Sequence, residues 1–231
     1  MTQRLPAAPT SEQLPDRRPA DAEDDGDDLI LPEGSLVVRI YTHAGRQPKP
    51  WYGFRNTPIR KPGRFDAFDA PGVDGVCYLA IPDFDKKRAR SAAGDASAVA
   101  TCLAETAQDK RVLDRLDERS LVIAQLTRPL TLLDVSSDWG TRARAGTHLS
   151  TAPKQLTSQW GVSIAQRWPD LHGITWISSV RPSGRALVLW SPRAQAELTT
   201  AEPQLHRALD DPYIRPVLTW AAHLTGTVLV P

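Results

Sequence analysis

The sequence predicts an α+β domain preceded by an acidic tail. The predicted strands are short, the predicted helices do not alternate regularly with them, and no internal repeat is present. This irregular order favours an α+β fold over a doubly wound parallel sheet. The length of 231 residues, with 41% hydrophobic and 24% charged residues, is typical of a globular protein with a sizeable core.

The first 34 residues differ from the rest in charge. They contain nine acidic and three basic residues, a net charge of −6, so the remaining residues carry +7 of the overall +1. The run Asp21–Asp28 repels itself and has too few apolar groups to offset the entropy lost on ordering. We therefore predict a disordered acidic tail over residues 1–34 and one folded domain over residues 35–231.

Hydrophobic periodicity and terminal signals predict the elements of this domain. Leu36–Tyr41 alternates and is rich in β-branched residues, which indicates a strand. Ser97 can cap a helix and Pro153 can begin another, while the Gly- and Pro-rich residues 42–75 indicate loops. In order, the pattern predicts strands over 36–41 and 76–81, helices over 97–108 and 111–119, strands over 121–126 and 130–135 joined by a turn at Pro129, a helix over 153–168, strands over 173–177 and 185–190, a helix around 216–224 and a final strand.

Several classes of protein are disfavoured. Cys77 and Cys102 are too few for a disulfide framework and lack metal-site spacing, and the five histidines form no metal motif. The sequence has no P-loop, no Gly-x-Gly-x-x-Gly pattern and no Gly-x-Ser-x-Gly elbow. It also lacks a secretory signal and any run near the roughly 18 apolar residues that span a bilayer. We therefore predict a cytoplasmic protein without a bound metal.

The most informative window is Ser35–Phe65. It contains seven basic residues and no acidic one, with Tyr41, Trp51, Tyr52 and Phe54 interleaved. Guanidinium groups bind phosphate through two parallel hydrogen bonds, and aromatic faces stack on heterocycles. A dinucleotide offers both groups, as does single-stranded RNA, and a solvated basic loop explains the composition equally well.

Individual polar residues also have two interpretations. Arg39 lies within a predicted strand, and Arg64 follows a glycine that would let a ligand approach the backbone. Glu105 lies on a predicted helix among small and apolar residues, where it is either partnered or exposed to solvent. Ser178 and Ser179 end a strand, where hydroxyls commonly bind the backbone of a turn.

Taken together, these segments resemble a RES domain, a family named for its Arg, Glu and Ser. The resemblance runs from about Leu36 to Trp190, and its pieces occur in the family's order. They are Val38–Tyr41, Pro62–Phe65, Cys77–Ala80, Leu103–Glu105, Leu132–Asp134 and Gly173–Ser179.

The resemblance implies an ADP-ribosyltransferase-like fold, with a split, twisted β-core and flanking helices around an NAD cleft. It also implies degradation of NAD, by phosphorolysis to nicotinamide and ADP-ribose 1''-phosphate, by the toxin of a type II toxin–antitoxin pair. NAD is then a substrate and not a cofactor, phosphate is the co-substrate, and the expected partner is an Xre-like antitoxin that blocks the active site. No binding to nucleic acid or membrane is expected.

Site residues follow from the same resemblance. Arg39, Glu105 and Ser178 are the predicted catalytic residues. The predicted residues for NAD or phosphate are Arg64, Tyr78, Tyr41 and Ser179.

The chain departs from the family's usual pattern in a few places. The segment Asp83–Asp95 is a charged insertion, Phe65 replaces the commoner Trp, and His172 stands where an Asp is frequent. Three alternatives remain open at this stage: a protein mono-ADP-ribosyltransferase that uses NAD, a non-enzymatic RNA-binding module, and an inactive RES-like domain kept for partner binding.

Overall fold

The fold was analysed in a computed structural model that describes residues 5–19, 26–45, 48–57, 62–82 and 92–231. Within these residues it contains ten strands and six α-helices. The strands are β1 (Asp28–Leu31), β2 (Leu36–Thr42), β3 (Gly75–Ile81), β4 (Val112–Leu113), β5 (Arg119–Gln125), β6 (Leu130–Asp134), β7 (Gly173–Ile177), β8 (Arg185–Ser191), β9 (Glu202–Ala208) and β10 (Val228–Leu229). The helices are α1 (Ala92–Ala107), α2 (Asp138–Arg142), α3 (His148–Thr151), α4 (Lys154–Arg167), α5 (Gln195–Thr200) and α6 (Arg215–Thr225).

Eight of these strands form one sheet, in the order β1-β6-β7-β8-β3-β2-β5-β9. Within it β6 and β7 are parallel, and every other neighbouring pair is antiparallel. The strands β4 and β10 form a separate parallel pair. A mostly antiparallel sheet with helices packed on it is an α+β fold, which confirms the predicted class.

The sheet is divided near its centre, between β2 and β3. These strands pair in register at Val38 and Ala80, whereas β2 pairs with β5 along its whole length. Beyond this point the backbone N–H of Ile40 donates to Cys102 Sγ of α1, at 3.0 Å. Helix α1 therefore covers the division, which agrees with the predicted split β-core.

The two faces of the sheet are covered differently. Because side chains alternate along a strand, Val38, Ala80, Ala186 and Trp176 share one face, which we call the α1 face. Its core is packed by α1 and α6 on one side of the division and by α2, α3 and α4 on the other. The opposite face, which we call the α5 face, packs against α5 and the loop that contains Trp51.

The N-terminal segment is more ordered than the sequence predicts. Residues 5–19 lie against α2 and α4, with Leu5 and Leu14 buried in the core. Backbone carbonyls of this segment accept hydrogen bonds from Trp160 Nε1, Ser163 Oγ and Trp139 Nε1. The predicted tail thus has apolar anchors and backbone acceptors that its composition obscures, so the described part of residues 5–34 belongs to the folded body.

The described end of the acidic run is also packed. Asp27 is fully buried and accepts from the backbone N–H of Arg18 at 2.7 Å and from the guanidinium of Arg142. The following residues form β1, which pairs with β6 at the sheet edge. Arg142, which is distant in the sequence, compensates the charge of Asp27. Counting charges along the sequence does not detect this pairing. Residues 1–4 and 20–25, which include most of the run, lie outside the described residues.

Other sequence predictions need correction. The predicted helix over 111–119 is wrong, since these residues form β4, a short 3-10 turn and the start of β5. Arg111 and Arg115 adopt left-handed backbone angles, with φ of 51° and 53°, which an α-helix cannot contain. Helix α1 begins at Ala92, before the predicted start at residue 97. The strands before and after Pro129 are successive in the chain but do not pair.

Four elements carry weak sequence signals. They are α2, α3, α5 and β9, and β9 is a largely exposed, polar edge strand. Residues 83–91 of the predicted insertion lie outside the described residues, and 92–95 form the start of α1. Within the described residues, no helix combines the length and apolar character that a membrane span requires.

Candidate functional site

Arg64 is a buried cation on the α1 face. Its Nη1 donates to the carbonyls of Leu149 and Ala152, both at 3.0 Å, and so ties the loop before β3 to α3. Burial lowers the pKa of Arg64, and the nearby carboxylate of Glu105 opposes this effect. Among the described residues, the Nε and Nη2 donors of Arg64 have no hydrogen-bond partner. They leave one edge of the guanidinium available to an anion.

Glu105 lies on α1 close enough to Arg64 for the charges to interact. Its Oε1 is buried and has no hydrogen-bond partner among the described residues. An unpartnered buried acceptor costs about 1–3 kcal/mol, so it stands out in a folded protein. The predicted alternative of a solvent-facing carboxylate therefore does not describe this oxygen.

Arg181 holds the β7–β8 turn against the helix that carries Glu105. Its guanidinium donates to Ser97 Oγ at 3.0 Å and to Thr101 Oγ1 at 2.7 Å. Ser97, Thr101 and Glu105 are spaced four residues apart and therefore lie on one side of α1. Gly184 is required at this contact, since a Cβ there would lie 2.0 Å from Thr101 Oγ1.

Tyr78 extends from β3 beside Arg64. Its hydroxyl contacts the carbonyl of Arg64 at 2.7 Å and the carboxylate of Asp66, and its ring meets Trp176 edge-on with centroids 6.3 Å apart. Burial raises the pKa of Tyr78 well above its ordinary value, and the negative charge of Asp66 adds to this. The phenol therefore stays protonated and can donate a hydrogen bond.

Asp66 organises this corner of the site, and the sequence analysis did not single it out. It accepts from the N–H of Gly63 at 2.8 Å and from Arg55 at 2.6 Å, besides its contact with Tyr78. Gly63 is required because a Cβ there would lie 2.3 Å from the hydroxyl of Tyr78. Its position directly after the Gly63–Phe65 segment was the available signal.

Ser178 lies at the end of β7, also on the α1 face. Its side chain is buried, and its Oγ accepts from the backbone N–H of Arg181 at 3.1 Å. This is the turn-binding role that strand-end hydroxyls commonly have. The hydroxyl hydrogen remains available to a ligand, because in this bond the oxygen is the acceptor. Ser179 is exposed.

A cavity of about 230 Å³ adjoins Ser178 and Ser179. It is formed where the ends of β6 and β7 meet α2 and α3. Eight of its lining residues carry hydroxyls, and the concentration of Ser and Thr in residues 136–151 was the signal that the sequence analysis did not use. The lining residues are Ser136, Ser137, Thr141, Gly146, Thr147, Ser150, Thr151, Ile177, Ser178, Ser179 and Pro182.

Arg39 and Tyr41 lie on the other face of the sheet. Val38 and Ile40 pack under α1, so alternation places Arg39 and Tyr41 on the α5 face. Arg39 Nη1 donates to the carbonyls of Trp51 and Gly53, and the hydroxyl of Tyr41 lies 2.7 Å from Nε2 of His206.

The structure thus places Arg64 in contact with Tyr78 and within electrostatic range of Glu105, with Ser178 on the same face. It does not bring Arg39 and Tyr41 to that face. Arg39 is nevertheless not remote from α1. Cys102 lies at the division of the sheet, and the charges of Arg39 and Glu105 act in opposite directions on its pKa, which burial raises to about 12.

Two other cations of the basic window are bonded to the protein. Lys49 Nζ donates to the carbonyl of Phe54 at 2.9 Å, and Arg55 pairs with Asp66. Arg46, Arg60 and Lys61 lie outside the described residues. The part of the chain that the structure describes contains no group of three or more His, Cys, Asp or Glu side chains suited to a metal ion.

Comparisons with known proteins place these residues in context. The RES domain family matches residues 95–210, half of the chain, which includes Glu105 and Ser178. Arg39, Arg64 and Tyr78 lie before the matched segment. No curated protein matches the sequence. A chain of the crystal structure of the M. tuberculosis MbcT–MbcA toxin–antitoxin complex is similar in structure, with 16% sequence identity and a TM-score of 0.47, covering 77% of this chain and 85% of that one. On the strength of the family match, this chain belongs to the RES domain family.

Proposed function

We propose that this chain is an enzyme that cleaves the nicotinamide–ribose bond of NAD by phosphorolysis, releasing nicotinamide and ADP-ribose 1''-phosphate. NAD is the substrate, phosphate is the co-substrate and no cofactor is required. The observation that carries the proposal is the buried Oε1 of Glu105, which has no hydrogen-bond partner among the described residues and lies within electrostatic range of the buried guanidinium of Arg64. Glu105 also lies in the segment that matches the RES family.

Glu105 supplies negative charge where the reaction needs it. A ribose hydroxyl that donates to Oε1 would satisfy the buried acceptor. As the C–N bond breaks, positive charge develops on the ribose, and a fixed carboxylate stabilises that charge. Preorganised electrostatic groups of this kind are usually the largest single contribution to catalysis.

Arg64 supplies the site for the anion. Its Nη1 is bonded to two carbonyls, which fixes the orientation of the guanidinium. Its Nε and Nη2 can then donate in parallel to two phosphate oxygens, a geometry that a planar guanidinium favours. The anion is the pyrophosphate of the substrate or the incoming phosphate.

The leaving group requires no general acid. A phosphate oxygen forms the new bond to the ribose carbon, and the electron pair of the broken C–N bond goes to the pyridine nitrogen. The pyridinium becomes neutral nicotinamide without taking up a proton. Ser178 donates to the carboxamide or ribose and Tyr78 packs beside the ring, so their part is to orient the substrate.

The first test is turnover of NAD by the purified chain, with and without phosphate. We expect nicotinamide release that depends on phosphate, and Glu105→Gln should lower kcat/KM about 100-fold or more while the protein remains folded. Glu202→Gln, an exposed change on β9, is the matched control and should retain wild-type turnover.

Each result bears on a separate part of the proposal. Near-wild-type turnover by Glu105→Gln would remove this residue from the mechanism. Turnover that does not depend on phosphate would indicate that the chain hydrolyses NAD and does not phosphorolyse it. Labelled ADP-ribose attached to protein would instead indicate a protein ADP-ribosyltransferase.

We further propose that the chain acts in the cytoplasm as the toxin of a toxin–antitoxin pair. Membership of the RES family supports this role, and the expected partner is an Xre-like antitoxin that covers the active site. Expression of the chain should deplete cellular NAD and arrest growth. Co-expression of a small helical protein encoded next to it should reverse both effects, and growth arrest without loss of NAD would contradict the proposal.

A further inference from the structure

The hydroxyl-lined cavity beside Ser178 has an unusual chemical character. Its walls combine eight hydroxyl side chains with the apolar surfaces of Ile177 and Pro182, and none of the described residues that line it is charged. Ile177 is 38% exposed, which is high for a large apolar side chain at the end of a buried strand. A ligand for this cavity should be uncharged, rich in hydrogen-bonding groups and apolar on its flat surfaces.

Several of these hydroxyls have no hydrogen-bond partner among the described residues. Ser136 and Ser137 bond to Asp134, but the hydroxyls of Ser150, Thr147 and Ser179 make no hydrogen bond within the described residues. Ser150 is nevertheless largely buried. Hydroxyls can donate or accept by rotation, so they match a carboxamide, which presents an acceptor oxygen and a donor nitrogen.

We propose that this cavity binds the pyridine ring with its uncharged carboxamide, so that the chain uses NAD and discriminates against the dinucleotide whose pyridine carries a carboxylate. The inference rests on the proposed function and adds a substrate specificity to it. A cation next to the cavity is Arg185, whose Nη1 lies 3.4 Å from Ser136 Oγ and is already paired with Asp134 at 2.7 Å. A carboxylate buried here would therefore lose its hydration without gaining an uncompensated cation, which is costly. An amide would lose its hydration but regain hydrogen bonds.

The position of the cavity supports this assignment. Ser178 lines it and faces the α1 side, and Ser150 lies between the two carbonyls that Arg64 holds. A dinucleotide whose anionic part binds Arg64 can therefore extend along α3 toward the cavity. The residues that connect Arg64 to the cavity belong to, or directly follow, one short helix, α3 (His148–Thr151).

The lack of charge also suits the reaction. The pyridinium of NAD is positive, whereas the nicotinamide that leaves is neutral. An uncharged cavity with an apolar wall binds the neutral form in preference, and interactions that strengthen toward the transition state raise the rate.

The test compares NAD with nicotinic acid adenine dinucleotide as substrates. For wild-type protein, kcat/KM should be about ten-fold or more higher with NAD than with nicotinic acid adenine dinucleotide. A site that hydrogen-bonds a specific polar group of its substrate rejects analogues that leave the groups of the site unpaired. The variant Ser179→Lys places a cation at an exposed wall of the cavity and should reduce this preference about ten-fold. Thr219→Lys, on the exposed side of α6, is the matched control and should keep the wild-type preference.

A second measurement does not depend on turnover. Saturation-transfer NMR with free nicotinamide and free nicotinate should detect binding of nicotinamide alone, and Thr147→Phe, which fills the cavity, should abolish it. Absence of turnover with either dinucleotide, together with selective nicotinamide binding, would reject the proposed function and retain the cavity assignment. Equal kcat/KM for both dinucleotides, or the same preference in Ser179→Lys and Thr219→Lys, would overturn the cavity assignment alone.

Discussion

Asp28 gives a pH dependence of stability that can be worked out from its contacts. It is buried at the start of β1, and burial raises its pKa from 3.8 to about 6. Arg17 forms an ion pair with its carboxylate at 3.5 Å but no hydrogen bond, and also pairs with Asp170 at 2.5 Å. The charge of Arg17 lowers the pKa of Asp28, but Asp170 and Asp27 add negative charge nearby, so the cost of burying the ionised carboxylate is only partly offset.

The sign and size of the effect follow from linkage. Because the folded pKa is the higher one, the folded state holds a proton that the unfolded state has lost between pH 3.8 and about 6. Stability due to this group is therefore fully present below pH 3.8 and is lost as the pH rises through about 6. At about 1.4 kcal/mol per pH unit, the loss is about 3 kcal/mol.

The perturbation is Asp28→Asn, which cannot ionise. We expect the free energy of unfolding of wild-type protein, measured with urea from pH 4 to pH 8, to fall by about 2.5 kcal/mol relative to the variant, because part of the full effect lies below pH 4. Asp210→Asn is the control, because Asp210 is exposed, and its difference from wild type should not change over this range. Parallel stability curves for wild type and Asp28→Asn would refute the reasoning.

Three further substitutions test how the domain is held together, each by urea unfolding against wild type. Leu14→Ala should cost about 2–5 kcal/mol because the side chain is buried in the core, whereas Ile30→Ala, at 44% exposed, should cost less than about 1 kcal/mol. Gly161→Ala should cost about 1–3 kcal/mol, since its Cβ would lie 2.8 Å from the backbone of Phe65, which cannot move aside as a side chain would. Tyr78→Phe should cost about 1–3 kcal/mol because it leaves a buried carboxylate acceptor without its donor. If Leu14→Ala, Gly161→Ala or Tyr78→Phe lowers the free energy of unfolding by less than about 0.5 kcal/mol, the contact assigned to that side chain does not stabilise the fold as expected.

Much of the central sheet and α4 could be predicted because their signals are local. Leu36–Thr42, Gly75–Ile81 and Arg185–Ser191 have the β-branched and apolar character of buried strands, and the structure has strands there. The same locality explains the failures. The edge strand β9 is polar and exposed, and it exists because β5 offers it a hydrogen-bonding edge.

The candidate site was predicted in part for a similar reason. Arg64, Glu105 and Ser178 were recognised because they lie in segments that occur in the order of the RES family. Their residue types indicate which chemistry is available. Asp66 and the hydroxyl-lined cavity were missed because their significance lies in contacts between distant segments. The roles of all these residues in catalysis stay predictions until the variants are measured.

By itself, the sequence determined most of the buried strands and the longer helices, and which residue types are available to bind a dinucleotide. The tertiary structure decided that the acidic N-terminal segment packs on α2 and α4, and that Arg39 faces away from Glu105. Hydrophobic periodicity depends on residues a few positions apart, so it can be detected from the sequence alone. The compensation of Asp27 by Arg142 and the burial of Oε1 of Glu105 depend on segments far apart in the chain, which become neighbours only when the sheet and helices pack.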